Sequence, residues 1–451
     1  MKTTLKAGHT FLIQGPASVR ILRGSASTLG ESLTTEEPLV VRAGRLKAIE
    51  ATDESMFDIV LGHNAKLDEL QTSTIPVEWK DFAKDTHRER PENLRTMVLG
   101  GLDTGKNTLI TYLGNILVKE NFQVVVMDAD MGQGEIGPPT TMSVSFLDSQ
   151  VTEFLELNPD SIFFVGSTSP AYVVGRVLRG VDKLNDYIQK NAPEATLLIN
   201  MPGWTTGQAA LKFILQVIST LKVNRVVALQ KESELEDILR EIPNEVKLVR
   251  LPVSPYARTR SKEERKFLRE TSYRKYFEGS KDLVVHFDEI DFSPMFSARA
   301  GQASLQTIRE VERITKSRVL YCDENSHYVN AIIARYENIA AERIPGDRQE
   351  EQNVEVELAE IDESARKELR LASVEEMRNA VVAILGDDEQ LVSVGILKEL
   401  DLSRRKATIA MAVKTSDAAK IEVGKVRVSD QGHEIGYIEM YKIPFMPTES
   451  E

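Results

Sequence analysis

Gly100-Gly101-Leu102-Asp103-Thr104-Gly105-Lys106-Asn107-Thr108 decides how this chain is read. The stretch follows an apolar run from Leu94 to Leu99. It precedes Leu109, Ile110, Leu113, Ile116 and Leu117, whose spacing is that of one helix face. A GxxxxGK loop between a strand and a helix is a Walker A phosphate loop. Its glycines let backbone N–H groups turn inward around phosphate oxygens, and the helix N-terminus adds a favourable dipole. Residues Gly100 to Thr108 would therefore cradle a nucleotide, with Lys106 reaching the β- and γ-phosphates. The residue after the lysine is normally Ser or Thr, whose hydroxyl ligates Mg²⁺. Here it is Asn107, whose amide oxygen is either an adequate replacement or a weaker one. Thr108 is rotated by about 100° around the helix and is a poor substitute.

The next apolar strand ends in carboxylates: Val124-Val-Val-Met-Asp128-Ala-Asp130. Strand side chains alternate, so Asp128 and Asp130 share a face. They are either turn aspartates capping the strand or a working pair, one holding Mg²⁺ and the other taking a proton from an attacking hydroxyl. Gly132-Gln133-Gly134 and Pro138-Pro139 shape a loop where α/β sheets place their ligands, at the carboxyl ends of strands. An Asn/Thr-Lys-x-Asp element for guanine is missing. The nearest place, Leu229-Gln-Lys-Glu-Ser233, lacks the aspartate. ATP, or relaxed nucleotide use, is expected.

Outward from these motifs, SIFFVGS (161–167), TLLIN (196–200) and NRVVAL (224–229) read as further strands. KFILQVISTL (212–221) and SELEDILREI (233–242) read as helices. The alternation predicts an α/β domain over 94–300 with a mainly parallel sheet covered on both faces. Residues 1–80 read as short strands of a small N-terminal β domain. A polar, proline-containing stretch, 74–93, reads as the boundary. Residues 301–451 form a C-terminal region whose hairpin-like end, from about 379, predicts a second small β domain.

At 451 residues the chain has room for about three domains. Its formal net charge of −13 argues against a surface that grips nucleic acid or anionic membrane throughout. One cysteine, Cys322, excludes an intramolecular disulfide and a cysteine-based zinc site. The N-terminus lacks an apolar signal core, and no window approaches a membrane span. A soluble, intracellular, cytoplasmic protein without membrane contact is expected.

Charge is unevenly placed. Residues 256–275 hold eight bases and three acids, a local +5, whereas 350–363 hold seven acids and no base. The basic segment, extended to 256–279, is either a solvated helix or a lid carrying arginines over phosphates. Trp204, in Asn200-Met-Pro-Gly-Trp-Thr-Thr, either stacks on a base or packs over the domain edge.

In order along the chain, GGLDTGKNT, MDADMGQGEIGPP, FVGSTSP, NMPGW and the arginine-bearing stretch ending RKYFEG resemble the RNA 5′-hydroxyl polynucleotide kinases. That family includes archaeal polynucleotide kinases and the kinase subunit of the eukaryotic pre-mRNA cleavage factor. The resemblance covers roughly 94–280, and the flanking β domains fit the family's three-domain plan. It implies ATP-dependent phosphorylation of the 5′-OH of RNA, with DNA as a second substrate class, and protein partners in RNA processing. It also implies roles: Lys106 on phosphate, Asn107 and Asp128 at Mg²⁺, and Asp130 as general base. Gln133, Thr168 and Trp204 fall on the substrate side, and Arg260 and Arg265 in the lid over the transferred phosphate. The rival reading is a scaffold that binds nucleotide but transfers phosphate weakly or not at all, with Asn107 as its main support.

Overall fold

The computed structural model describes residues 1–89, 93–293, 301–325, 328–335, 342–344 and 367–445. The acidic run 350–363 lies outside them. Among the described residues the central sheet has seven strands. Its order is Ser161–Phe164, Thr141–Phe146, Val124–Asp128, Thr196–Asn200, Arg95–Gly100, Arg225–Gln230, Lys247–Pro252. The last five are mutually parallel. Four of these, from Val124–Asp128 to Arg225–Gln230, are buried almost throughout, as expected of a parallel sheet under helices.

The 161–167 stretch forms a strand but runs antiparallel to Thr141–Phe146, which itself runs antiparallel to Val124–Asp128. Only a single 3₁₀ turn, Phe154–Glu156, separates the two strands. Without a helical crossover, the chain returns in the opposite direction. SELEDILREI is helical only over Glu236–Leu239.

One face of this sheet packs on Val174–Asn191 and Gly207–Leu221, the other on the phosphate-loop helix Lys106–Lys119. The latter face also receives an unexpected helix, Val77–Glu89, in the stretch read as a boundary. Its Trp79 and Ala83 are nearly solvent-free in a cluster with Val98, Leu109 and Leu113. Pro76 suits the start of such a helix, and a spacing of four residues puts both side chains on one face.

Residues 2–70 build two antiparallel sheets closed over Phe11, Ile13, Ile49 and Phe57. Towards the C-terminus, two further sheets enclose Ile332, Ala372, Val382, Ile384 and Ile409. Lys281–His286, within 94–300, is an edge strand of one of them, paired with Lys406–Met411. The opposite face of that sheet, through Val381, Ile396 and Val426, packs on Tyr273 and Phe277 of the helix Lys262–Phe277. The basic helix is thus rooted at its C-terminal half in the C-terminal sheet. No described helix is long and apolar enough to cross a membrane.

Candidate active site

The strand Arg95–Gly100 ends in the phosphate loop because the loop's backbone cannot stay extended. Gly105 has φ 92° and Asp103 has φ 58°, left-handed values that turn the chain back into the helix at Lys106. Thr104 closes the turn with its hydroxyl on the Gly101 carbonyl at 3.1 Å. Lys106 is 6 % exposed, and its ammonium donates to the carbonyls of Gly100 (3.0 Å) and Gly101 (2.9 Å). Burial pulls its pKa below the usual lysine range, against the opposing pull of Asp130, Asp103 and Asp128.

Asp128 and Asp130 both sit at the end of the next strand but are used differently. Oδ1 of Asp128 accepts from Asn200 Nδ2 (2.9 Å) and from the N–H of Asp130 (3.3 Å). Its Oδ2 accepts from the N–H groups of Glu135 (2.8 Å) and Ile136 (3.3 Å). Four donors occupy the four lone-pair positions of one carboxylate. Burial, and then the charge of Asp130, push this carboxyl up to about 6 in spite of those donors. Oδ1 of Asp130 accepts from the N–H groups of Gly132 (3.1 Å) and Gln133 (3.0 Å), which aims the side chain from a fixed turn.

A cavity of about 220 Å³ opens in front of the phosphate loop. It is lined by Asp103 through Thr108, Asp130, Gln133 and Arg260 from the expected set. Gly100, Gly101, Leu102, Asp128, Thr168, Trp204 and Arg265 are not in its wall. Asp128 braces the loop after the strand from behind. Thr168 is 5 % exposed and its hydroxyl meets that of Tyr437 from the C-terminal region. Trp204 is half-buried and stacks on Phe213, ring centres 5.8 Å apart, against the central core. Of the two readings of Trp204, packing over the domain edge describes its inner face.

The cavity also has walls that the motifs did not announce. Leu12, Leu29, Leu46, Lys47 and Ala48 reach it from the N-terminal sandwich, and Trp79, Ser254 and Tyr256 from the central domain. Four of the seven sandwich residues in the wall, Leu12, Leu29, Leu46 and Ala48, are apolar, which suits the flat face of a base; Thr28, Arg45 and Lys47 are the others. Arg45 of the sandwich pairs with Glu135 in the loop after the carboxylate strand, so the two domains are clamped across the cavity. No local signal in the sequence marks Leu12, Leu46, Lys47 or Ala48; they belong to strands whose pattern encodes the sandwich core.

The basic segment is a capped helix. Ser261 accepts from the N–H of Glu264 (3.1 Å), and Glu264 accepts from the N–H of Ser261 (2.8 Å). Two acids from outside the segment, Asp103 and Glu434, offset part of its local +5. Arg269 makes paired bonds to Glu434 from the C-terminal region, Arg258 pairs with Glu264, and Arg260 and Arg265 meet Asp103 of the phosphate loop. The helix therefore bridges the C-terminal sheet and the nucleotide cavity.

Residues 100–279 match the family described as the mRNA cleavage and polyadenylation factor CLP1 P-loop. The chain is 30% identical over 352 residues to a polyribonucleotide 5′-hydroxyl-kinase of Pyrococcus furiosus, covering 78% of this chain and 92% of the relative. It is 28% identical over 360 residues to a polyribonucleotide 5′-hydroxyl-kinase of Methanocaldococcus jannaschii, covering 78% and 92%. Among solved structures, Clp1p in complex with a Pcf11p fragment superposes with a TM-score of 0.65 at 13% identity, over 95% of this chain and 97% of that one. This last likeness concerns the fold alone.

Proposed function

The chain belongs to the polyribonucleotide 5′-hydroxyl-kinase family with a CLP1-type P-loop, and on that premise we propose that it transfers the γ-phosphoryl group of ATP to the 5′-hydroxyl of RNA. The observation that carries this reading is that Lys106, Asp130 and Arg260 line one cavity, on three separate elements, at the mouth of a phosphate loop. Phosphoryl transfer needs positioning and charge stabilisation more than covalent chemistry. The loop N–H groups and Lys106 hold the phosphates, and Asp130 accepts the proton of the attacking hydroxyl. Arg260 stabilises the charge gathering on the transferred group. The apolar wall from the N-terminal sandwich takes the adenine.

The donor set fits Mg²⁺ in a reduced form. Asn107 offers an amide oxygen beside the phosphate site, whereas Asp128 has no lone pair to spare and supports the metal's surroundings instead. When bound, Mg²⁺ would screen the phosphate charge; Asn107 and the phosphates would hold it. Thr168 and Trp204, outside the nucleotide cavity, form the approach for the RNA 5′ end. DNA ends are a second substrate class. On this reading the protein works in the cytoplasm with RNA-processing partners.

The rival scaffold reading is tested together with the base. Asp130→Asn should bind ATP within about threefold of wild type and transfer phosphate at least about a hundredfold more slowly. Equal transfer rates in the two proteins would remove Asp130 from the reaction.

A further inference from the structure

A carboxylate in a phosphate loop is an awkward presence. It repels the phosphates the loop exists to hold, and Asp103 holds a left-handed φ of 58° that most residues avoid. Its side chain is only 3% exposed. What compensates it comes from the lid. Oδ2 accepts from the backbone N–H of Arg260 (3.0 Å) and from Nη1 of Arg265 (3.1 Å), and Nη1 of Arg260 lies 3.6 Å from Oδ1. The same Nη1 of Arg265 donates to the Arg260 carbonyl at 2.5 Å. Oδ1 is buried and has no hydrogen-bond partner, so this carboxylate has capacity left on the Arg260 side. Of the two arginines only Arg260 reaches the cavity wall.

We propose that Asp103 is a positioning residue: with Arg265 it forms a latch that docks the lid on the phosphate loop and presents the Arg260 guanidinium to the phosphates. Arg265 then acts through the latch, holding Asp103 and the Arg260 backbone. Because Asp103 belongs to the loop that wraps the nucleotide, lid docking and loop conformation are one coupled arrangement. The existence of the latch does not depend on the kinase reading; its catalytic consequence does.

The test uses the full chain as wild type, Asp103→Asn, Arg265→Gln and the double variant. Asparagine tolerates left-handed φ, so the loop is kept while the charge is removed. The first readout is trypsin cleavage after Arg260 and Lys262 without substrates. Each single variant should be cut about tenfold faster, the effect of losing one charge-assisted hydrogen bond, and the double variant no faster than the faster single. The second readout is transfer: kcat should fall about tenfold in either single variant with the KM for RNA unchanged, and the losses should not multiply in the double variant. Lid cleavage in Asp103→Asn equal to wild type, or losses that multiply, would overturn the latch. If the lid responds as expected while wild type transfers no phosphate, the latch stands and the kinase reading falls. Normal transfer with an unresponsive lid removes the latch and leaves the kinase reading standing.

Discussion

A methyl group placed on Gly105 would lie 3.4 Å from Cη2 of Trp79, the tryptophan of a helix outside every motif in the phosphate loop. The indole is 1 % exposed and its Nε1 donates to the Pro252 carbonyl at 2.8 Å. It thereby ties the helix Val77–Glu89 to the last parallel strand beneath the loop. The ring thus packs beside the turn at Gly105, which the glycine's own φ of 92° makes.

Gly105→Ala tests that turn. Its φ of 92° strains any residue with a Cβ, so the variant should lose about 1–2 kcal/mol of stability and bind ATP more weakly. Chemical denaturation and ATP titration check it. An alanine chain with wild-type stability and affinity would mean that the loop does not depend on this turn.

Asn107→Ser restores the hydroxyl usual at this position. If the amide is the weaker ligand, the serine chain should transfer phosphate faster at limiting Mg²⁺, and the two should converge at saturating Mg²⁺. Transfer rates measured across a Mg²⁺ titration decide it. An unchanged or lower rate would show that Asn107 does not limit the reaction.

Trp204→Ala should raise the KM for RNA by about tenfold, the order of one lost base stack, and leave the KM for ATP alone. The ring lies outside the nucleotide cavity, which motivates the split. Equal changes in both constants, with a lower melting temperature, would instead describe a ring that only packs on Phe213.

Glu31 supplies a pH signature. Burial, and then the charge of Glu156, push its carboxyl up to about 7, while Lys47 pulls it down; its Oε2 is buried without a hydrogen-bond partner. The folded chain holds this proton more tightly than the unfolded chain. Its contribution to stability is therefore complete below about pH 4.5 and is lost as pH rises through about 7. Melting temperatures between about pH 4.5 and 7.5 should fall more steeply for wild type than for Glu31→Gln. Parallel curves would contradict the assignment. The neighbouring Gly30 accepts from Gln150 of the central domain at 2.9 Å, so the same titration reports on the seam between the domains.

What the sequence made legible was what is local in the chain. Gly100 to Thr108 and Asp128 to Gly134 carry their chemistry in contiguous residues, because a phosphate loop and a strand-end turn are formed by neighbours. Four of the five parallel strands are readable from their apolar runs; Lys247–Pro252 is not, because Lys247, Arg250 and Pro252 interrupt a strand that is only partly buried. Thr141–Phe146 was not, since its Thr and Ser dilute the apolar signal in a strand that is nevertheless buried. Val77–Glu89 reads as a boundary because its polar residues and Pro76 hide a narrow buried stripe around Trp79 and Ala83. The cavity wall from Leu12, Leu46 and Lys47, the Arg45–Glu135 clamp and the grip of Asp103 on the lid all join residues distant in sequence. Only the folded chain brings them together.

The most direct measurement of the proposed activity is transfer itself. The full chain is incubated with γ-labelled ATP, Mg²⁺ and an RNA oligonucleotide ending in a 5′-hydroxyl, beside the same RNA carrying a 5′-phosphate and beside the Lys106→Ala protein. Label is expected on the 5′-hydroxyl RNA and not on the 5′-phosphate RNA, and it should be lost with Lys106→Ala. Wild-type protein that binds ATP yet leaves the 5′-hydroxyl RNA unlabelled would contradict the kinase reading and leave a nucleotide-binding scaffold.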